Sequence, residues 1–168
     1  MRKKNWMILV LLSLLAACGQ QDRSTAVSFE VTYDASLSEE AQDGRLLLLL
    51  STNDDDEPRF QVGNNPETQL IFGVNVQDWT GDESRTIDAG AIGFPLADLT
   101  EVPPGKYYAQ VLLNRYKDFH LANGKVVSLP PDRGEGQKWN RKPGNWYSTP
   151  VEVEVSDGTI SVVMDQVI

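Results

Sequence analysis

The sequence of 168 residues contains one cysteine and one histidine, and both scarcities restrict its chemistry. With Cys18 alone, the chain can form neither an intrachain disulfide nor a cluster of cysteine ligands around a metal. His120 alone cannot supply the histidine pair of many zinc sites. The hydrolase motifs Gly-x-Ser-x-Gly and Ser-x-x-Lys are also missing. We therefore expect a protein that is not an enzyme and that uses no cofactor.

Basic residues are also in the minority, with 15 Lys and Arg against 24 Asp and Glu. Three of these basic residues and no acidic residue lie in 1–17, so the rest of the chain has 12 against 24, a net charge of −12. Nucleic acid is not an expected partner, because binding to phosphates requires a basic face. The exception is the segment 115–142, in which seven basic and three acidic residues give a local charge of +4.

The N-terminus is typical of an export signal. Arg2, Lys3 and Lys4 precede an apolar stretch, 7–15, which is too short to span a bilayer in the mature protein. The following Leu15-Ala16-Ala17-Cys18 resembles the lipobox of bacterial lipoproteins. That resemblance implies cleavage before Cys18 and a diacylglyceryl group on its sulfur. The alternative is an ordinary secretory signal with an unrelated cysteine.

These features predict a signal peptide at 1–17, a lipidated tether at 18–26 and one domain at 27–168. Buried acyl chains contribute about 0.8 kcal/mol per methylene, and two or three chains hold a protein to a membrane. The expected location is the cell envelope. In a Gram-negative host, Gly19 at the position after the cysteine favours the periplasmic side of the outer membrane under the lipoprotein sorting pattern.

The domain reads as a series of strands. Apolar residues alternate with polar ones in 27–34, 69–79 and 106–116, whereas the continuous run 45–51 indicates a strand buried on both faces. Further strands are predicted at 125–129, 150–156 and 159–167, with weaker candidates at 59–62 and 85–89. Turn residues separate the strands, and a short helical turn is expected after Ser38. The pattern predicts an all-β, immunoglobulin-like antiparallel sandwich of seven to nine strands with a long ordered loop.

The position of Tyr107 supports an immunoglobulin-like fold. It follows the turn Val102-Pro103-Pro104-Gly105 at the start of a strand, where immunoglobulin-like sandwiches place a tyrosine corner. In such a corner the tyrosine hydroxyl bonds back to the upstream chain. The alternative is an aromatic residue that simply favours a strand.

The segment 130–150, which we call the Trp loop, is the main candidate for a binding site. Long loops are often functional or packed by their own side chains. Three interpretations follow for it: packing on its own sandwich, binding of a glycan or anion, or docking of a partner protein, for which Trp, Tyr and Arg are typical. The candidate contact residues are Arg133, Trp139, Arg141, Trp146 and Tyr147.

Two further candidates belong to other classes of function. Asp54, Asp55, Asp56 and Glu57 form a run of carboxylates that suits calcium, although a solvated turn is the favoured interpretation. His120 would serve as the base of a cryptic hydrolase, although no serine is marked as its nucleophile.

The segment 112–153, LLNRYKDFHLANGKVVSLPPDRGEGQKWNRKPGNWYSTPVEV, resembles part of the N-terminal β-sandwich domain of large bacterial putative esterases. The likeness extends over nearly all of 27–168. In those proteins an α/β-hydrolase domain follows, and none of its catalytic residues has a counterpart here. The resemblance therefore implies the fold and an accessory role, with an envelope protein such as a hydrolase as the expected partner.

Overall fold

A computed structural model describes residues 26–81, 83–132, 134 and 136–168. Cys18, the signal peptide and most of the tether lie outside the described residues, as does Arg133. The fold is all-β: two sheets of mainly antiparallel strands pack as an immunoglobulin-like sandwich, as predicted. Within the described part of the chain, no helix is long and apolar enough to cross a membrane.

Twelve strands are present among the described residues, several of them only two to four residues long. They are β1 (Val27–Tyr33), β2 (Gln42–Ser51), β3 (Leu70–Trp79), β4 (Arg85–Ile87), β5 (Ile92–Phe94), β6 (Gly105–Arg115), β7 (Lys117–His120), β8 (Val126–Leu129), β9 (Trp146–Tyr147), β10 (Val151–Val155), β11 (Gly158–Met164) and β12 (Gln166–Val167). Two 3-10 helices, Pro58–Phe60 and Leu99–Glu101, lie in connections.

The smaller sheet has the order β11-β1-β4, with β1 and β11 parallel. The larger sheet has the order β12-β9-β6-β2-β3-β5, and β10 pairs with the first half of β6. The strands β9 and β10 thus follow one another along the same edge of β6. A third pair, β7 and β8, forms a hairpin that joins neither sheet.

The core lies between the two sheets. Alternate side chains of β1, β2 and β6 point into it, including the fully buried Phe29, Leu48 and Val111. The strand β2 is buried on both faces, as its continuous apolar run predicts, because Leu47 and Leu49 join Leu112 in a second cluster on the outer face of the larger sheet. The Trp loop covers this apolar outer face, because its Trp139 and Tyr147 side chains pack against the cluster.

The tyrosine corner is confirmed. The Tyr107 hydroxyl donates a hydrogen bond to the carbonyl of Pro103 at 3.0 Å, and burial raises the pKa of Tyr107. Two local predictions are wrong. The segment after Ser38 is an irregular turn, in which the Ser38 hydroxyl accepts from the Glu40 amide. The weak strand candidate 59–62 begins in a 3-10 turn, because Pro58 fixes the backbone at its first position.

Candidate binding surface

The Trp loop lies on the outer face of the larger sheet. Trp139 is half-buried and packs on the cluster of Leu47, Leu49 and Leu112. Its carbonyl accepts a hydrogen bond from the Asn145 amide group at 2.9 Å. The first interpretation of the loop, packing on its own sandwich, therefore describes this part of the structure.

Trp146 is a core residue, and the prediction that it belongs to a contact surface is wrong. Its side chain is 1% exposed. It begins the short strand β9, paired with Leu113 of β6 and Val167 of β12, and its ring lies 4.9 Å from that of Tyr33 on the opposite sheet. The pairing of β9 turns this side chain inward, and an indole of this size fills the space between the sheets.

Tyr147 and Arg141 belong to a stack of rings and guanidinium groups. The Arg59 guanidinium carbon lies 4.1 Å from the centre of the Tyr147 ring and 4.5 Å from that of Phe60. The guanidinium of Arg141 lies 4.9 Å from the same Phe60 ring. Such cation–π contacts become stronger as water is excluded. Arg59 is buried, whereas Arg141 is exposed, so of these two only Arg141 is available to a partner.

Polar bonds fasten the stack to the sheet. Arg59 makes a forked ion pair with Glu57, with nitrogen–oxygen distances of 2.8 and 3.2 Å. The buried amide group of Gln110 donates to Glu57 at 2.8 Å and to the Ser148 carbonyl at 2.9 Å. Burial pushes the pKa of Glu57 upward, but the bonds from Arg59 and Gln110 and the charge of Arg59 outweigh it, so the pKa lies below its ordinary value. This network is structural.

The carboxylates of 54–57 do not converge as calcium ligands. Asp54, Asp56 and Glu57 border one shallow cleft, but no group of three metal-ligating side chains in the described residues could hold an ion. Glu57 is held by Arg59, and the Asp56 carboxylate accepts from the Glu57 amide. The arrangement is that of a polar turn, the favoured interpretation of the sequence.

The hairpin of residues 117–129 carries the exposed apolar surface nearest in sequence to the Trp loop. Its strands pair so that Phe119 lies opposite Val127 and Lys117 opposite Leu129. One face of the paired strands therefore presents Lys117, Phe119, Val127 and Leu129, and the exposed Leu121 follows directly after β7. Phe119 is 41% and Leu129 50% exposed. No sheet of the described structure pairs with the hairpin.

The other face of the hairpin carries Asp118, His120, Ser128 and Val126, of which Val126 is 51% exposed. The Ser128 hydroxyl is buried and makes no hydrogen bond within the described residues, so it is not bonded to His120. His120 itself is exposed. This geometry lacks the bond between nucleophile and base that a hydrolase needs, and it gives the His120 hypothesis no support.

A basic cleft lies between the base of the hairpin and residues 142–145. Its volume is about 240 Å³, and Arg115, Lys117 and Lys142 line it. Lys142 is only 5% exposed. Its ammonium group donates a hydrogen bond to the Arg115 carbonyl at 2.7 Å. From the sequence, these three residues are predicted only to belong to the basic segment 115–142, and no cleft is predicted. Because they come from β6, the hairpin and the Trp loop, their proximity depends on the fold.

The hairpin is not among the binding sites predicted from the sequence, although its turn has a sequence signal. The signal for it is Asn123-Gly124, a dipeptide typical of tight turns, between Phe119-His120-Leu121 and Val126-Val127. The Leu121 amide donates to the Lys125 carbonyl at 2.8 Å and closes that turn.

No protein-family model matches the chain, no curated protein does so, and no solved structure does so. The resemblance to esterase N-terminal domains accordingly stays a prediction.

Proposed function

We propose that this chain is a non-catalytic binding or accessory module of the cell envelope, anchored to a membrane by a lipid on Cys18. It contacts a partner protein through the apolar face of hairpin 117–129 and the neighbouring exposed part of the Trp loop. This proposal moves the main contact surface from the predicted loop 130–150 to the preceding hairpin, and keeps only the solvent-exposed part of the loop.

The observation that carries the proposal is the exposed apolar face of the hairpin. A hairpin of two strands is marginally stable by itself in water. This one leaves Phe119, Leu121 and Leu129 between 41% and 50% exposed, although burying the exposed part of each would be favourable by roughly 0.7–1.5 kcal/mol. A cluster of large apolar side chains on a projecting element is typical of a surface that a partner covers.

Charge supports a protein partner with an acidic rim. Lys117 lies on the apolar face of the hairpin, Lys125 is exposed in its turn, and Lys138 and Arg141 are exposed on the Trp loop. Outside the segment 115–142, the chain from Cys18 onward carries a charge of −16. Opposite charges around an apolar centre speed association and fix orientation. The accessory role that the esterase resemblance implies, docking toward a hydrolase, fits this surface.

The test is site-directed crosslinking in the host envelope. A photoreactive residue placed at Leu121 should capture one defined partner, and the same probe in the double variant Phe119→Ser/Leu129→Ser should lose it. Val163 on the outer face of β11 is 52% exposed and gives a matched control, because Val163→Ser also removes an exposed apolar side chain. Capture of the same proteins by wild type and the double variant would refute the proposal.

A further inference from the structure

We propose that the basic cleft beside Arg115 binds an oxyanion, namely a phosphate, sulfate or carboxylate group. Its volume of about 240 Å³ lies below the roughly 300–1,000 Å³ typical of pockets for drug-sized ligands. The cleft thus suits one charged group of a small molecule or the end of a larger one. This proposal goes beyond partner docking and does not depend on it.

The Arg115 guanidinium is held in place before any ligand arrives. Its Nε donates to the Gln42 side-chain oxygen at 2.7 Å, and Nη1 donates to the Gly144 carbonyl at 3.2 Å. The guanidinium carbon lies 4.5 Å from the centre of the buried Trp146 ring. A guanidinium group held in this way loses little conformational entropy when it binds an anion. Its planar pair of N–H donors also matches the geometry of an oxyanion.

The Glu40 carboxylate attracts the same guanidinium, but from beyond ion-pair distance. Among the described residues, no carboxylate forms an ion pair with Arg115, and Nη2 makes no hydrogen bond. The side chain is half-buried, and this burial lowers its pKa. A half-buried cation without a carboxylate in direct contact is only partly compensated for its lost hydration. An oxyanion at Nη2 would supply a negative charge in direct contact and an acceptor.

The walls of the cleft favour an anion. Lys117 and Lys142 add two ammonium groups, and none of the described residues that line the cleft is acidic. The Ile168 carbonyl accepts from the Gly144 amide at 3.0 Å, but Ile168 does not line the cleft. Lys117 is exposed and lines the cleft from the hairpin side.

The surroundings restrict the size of the anion. Glu40, Asp43, Asp78 and Asp118 line an adjoining groove that shares Arg115 and Lys117 with the cleft. These carboxylates, and the acidic chain as a whole, repel an extended polyanion. A single oxyanion experiences less of this repulsion, because it carries less charge than a polyanion and fits among the basic side chains of the cleft.

The experiment is a titration of the full-length chain in neutral detergent, followed by ¹H–¹⁵N NMR. Sodium phosphate, sulfate and acetate are compared with sodium chloride at equal ionic strength. We expect saturable shifts of the Arg115 Nε–H signal and of the Gly144 and Asn145 amides with the oxyanions only. The phosphate, sulfate and acetate series separate a tetrahedral from a planar ligand. Identical shifts with chloride, or no saturation with any oxyanion, would overturn the proposal.

Variants localise the site. Arg115→Lys and Lys117→Gln should each weaken binding by about tenfold, because each removes a charge-assisted hydrogen bond. Lys125→Gln is the matched control, since it removes the same charge at the exposed hairpin turn outside the cleft. If Arg115→Lys fails to fold, Lys117→Gln still decides, because its side chain is exposed. Equal weakening by Lys117→Gln and Lys125→Gln would show that only net charge matters and would reject the site.

Discussion

The Trp146 ring lies 4.9 Å from the ring of Tyr33, tilted by 51°, and joins the Trp loop to the opposite sheet. Tyr33 also contacts Trp79 edge to face at 5.1 Å. A loop that covers the outside of one sheet thereby also supplies one of the largest fully buried side chains of the core. Loop and sandwich are consequently expected to unfold together.

The two tryptophans of the loop should differ in their effect on stability. Trp146→Ala leaves a large cavity in the core and should lower the free energy of unfolding by about 3–5 kcal/mol. Trp139→Ala removes a half-buried side chain and should cost about 1–2 kcal/mol. Urea denaturation followed by circular dichroism measures both. If Trp146→Ala cannot be purified folded, Trp146→Phe should still be less stable than wild type; equal costs for the two positions would contradict the structure.

The tyrosine corner gives a second prediction. Tyr107→Phe keeps the ring but removes the hydroxyl that donates to the Pro103 carbonyl, so it should destabilise the protein by about 1 kcal/mol. Tyr108→Phe is the control, because the neighbouring hydroxyl makes no hydrogen bond within the described structure. The difference between the two melting temperatures tests the corner, and no difference would argue against it.

The Glu57–Arg59 pair predicts a dependence of stability on pH. Because the pKa of Glu57 is lowered on folding, its contribution is present above the ordinary value of 4.5 and is lost as the pH falls through the lowered folded value. Glu57→Gln should therefore cost about 1–2 kcal/mol at pH 7. This cost should shrink as the pH falls below 4.5.

Thermal melts of wild type and Glu57→Gln between pH 3 and pH 7, values chosen to lie roughly on either side of an ordinary carboxyl pKa, check this behaviour. Asp54→Asn is the matched control, since Asp54 is exposed and makes no hydrogen bond within the described part of the chain. A gap between wild type and Glu57→Gln that stays constant over this range would show that the ion pair adds nothing.

The anchor is predicted to depend on one thiol. Cys18→Ser should abolish lipid attachment, because the acyl group requires the sulfur. Without acyl chains, the protein should move from the detergent-rich to the aqueous phase on phase separation. Mass spectrometry of the N-terminal peptide gives the direct measurement. Attachment that survives in Cys18→Ser would contradict the lipobox interpretation.

The sandwich could be predicted because its strands carry their own signal. Val27 to Tyr33 alternate in burial as they do in polarity, and the run 45–51 is buried on both faces. Such patterns depend on which side of a strand meets the core, a local property of the sequence. The tyrosine corner is equally local, since donor and acceptor are four residues apart.

The burial of the two tryptophans in the Trp loop could not be predicted from local sequence patterns. Trp139 and Trp146 both stand among polar residues, and local sequence does not distinguish them. What separates them is the pairing of Trp146 with Leu113 and Val167, which are distant in the chain. The cleft depends likewise on tertiary contacts, because Arg115, Lys117 and Lys142 meet only after β6 and the Trp loop have packed.

Two backbone hydrogen bonds hold Ile168 against the 142–145 turn. The Ile168 amide donates to the Asn145 carbonyl at 2.9 Å, and the Ile168 carbonyl accepts from Gly144. Any polypeptide that continues after Ile168 starts beside the 142–145 turn, whose residues line the basic cleft. Affinity handles for biochemical work therefore belong elsewhere, and a naturally appended domain would receive its orientation from this turn.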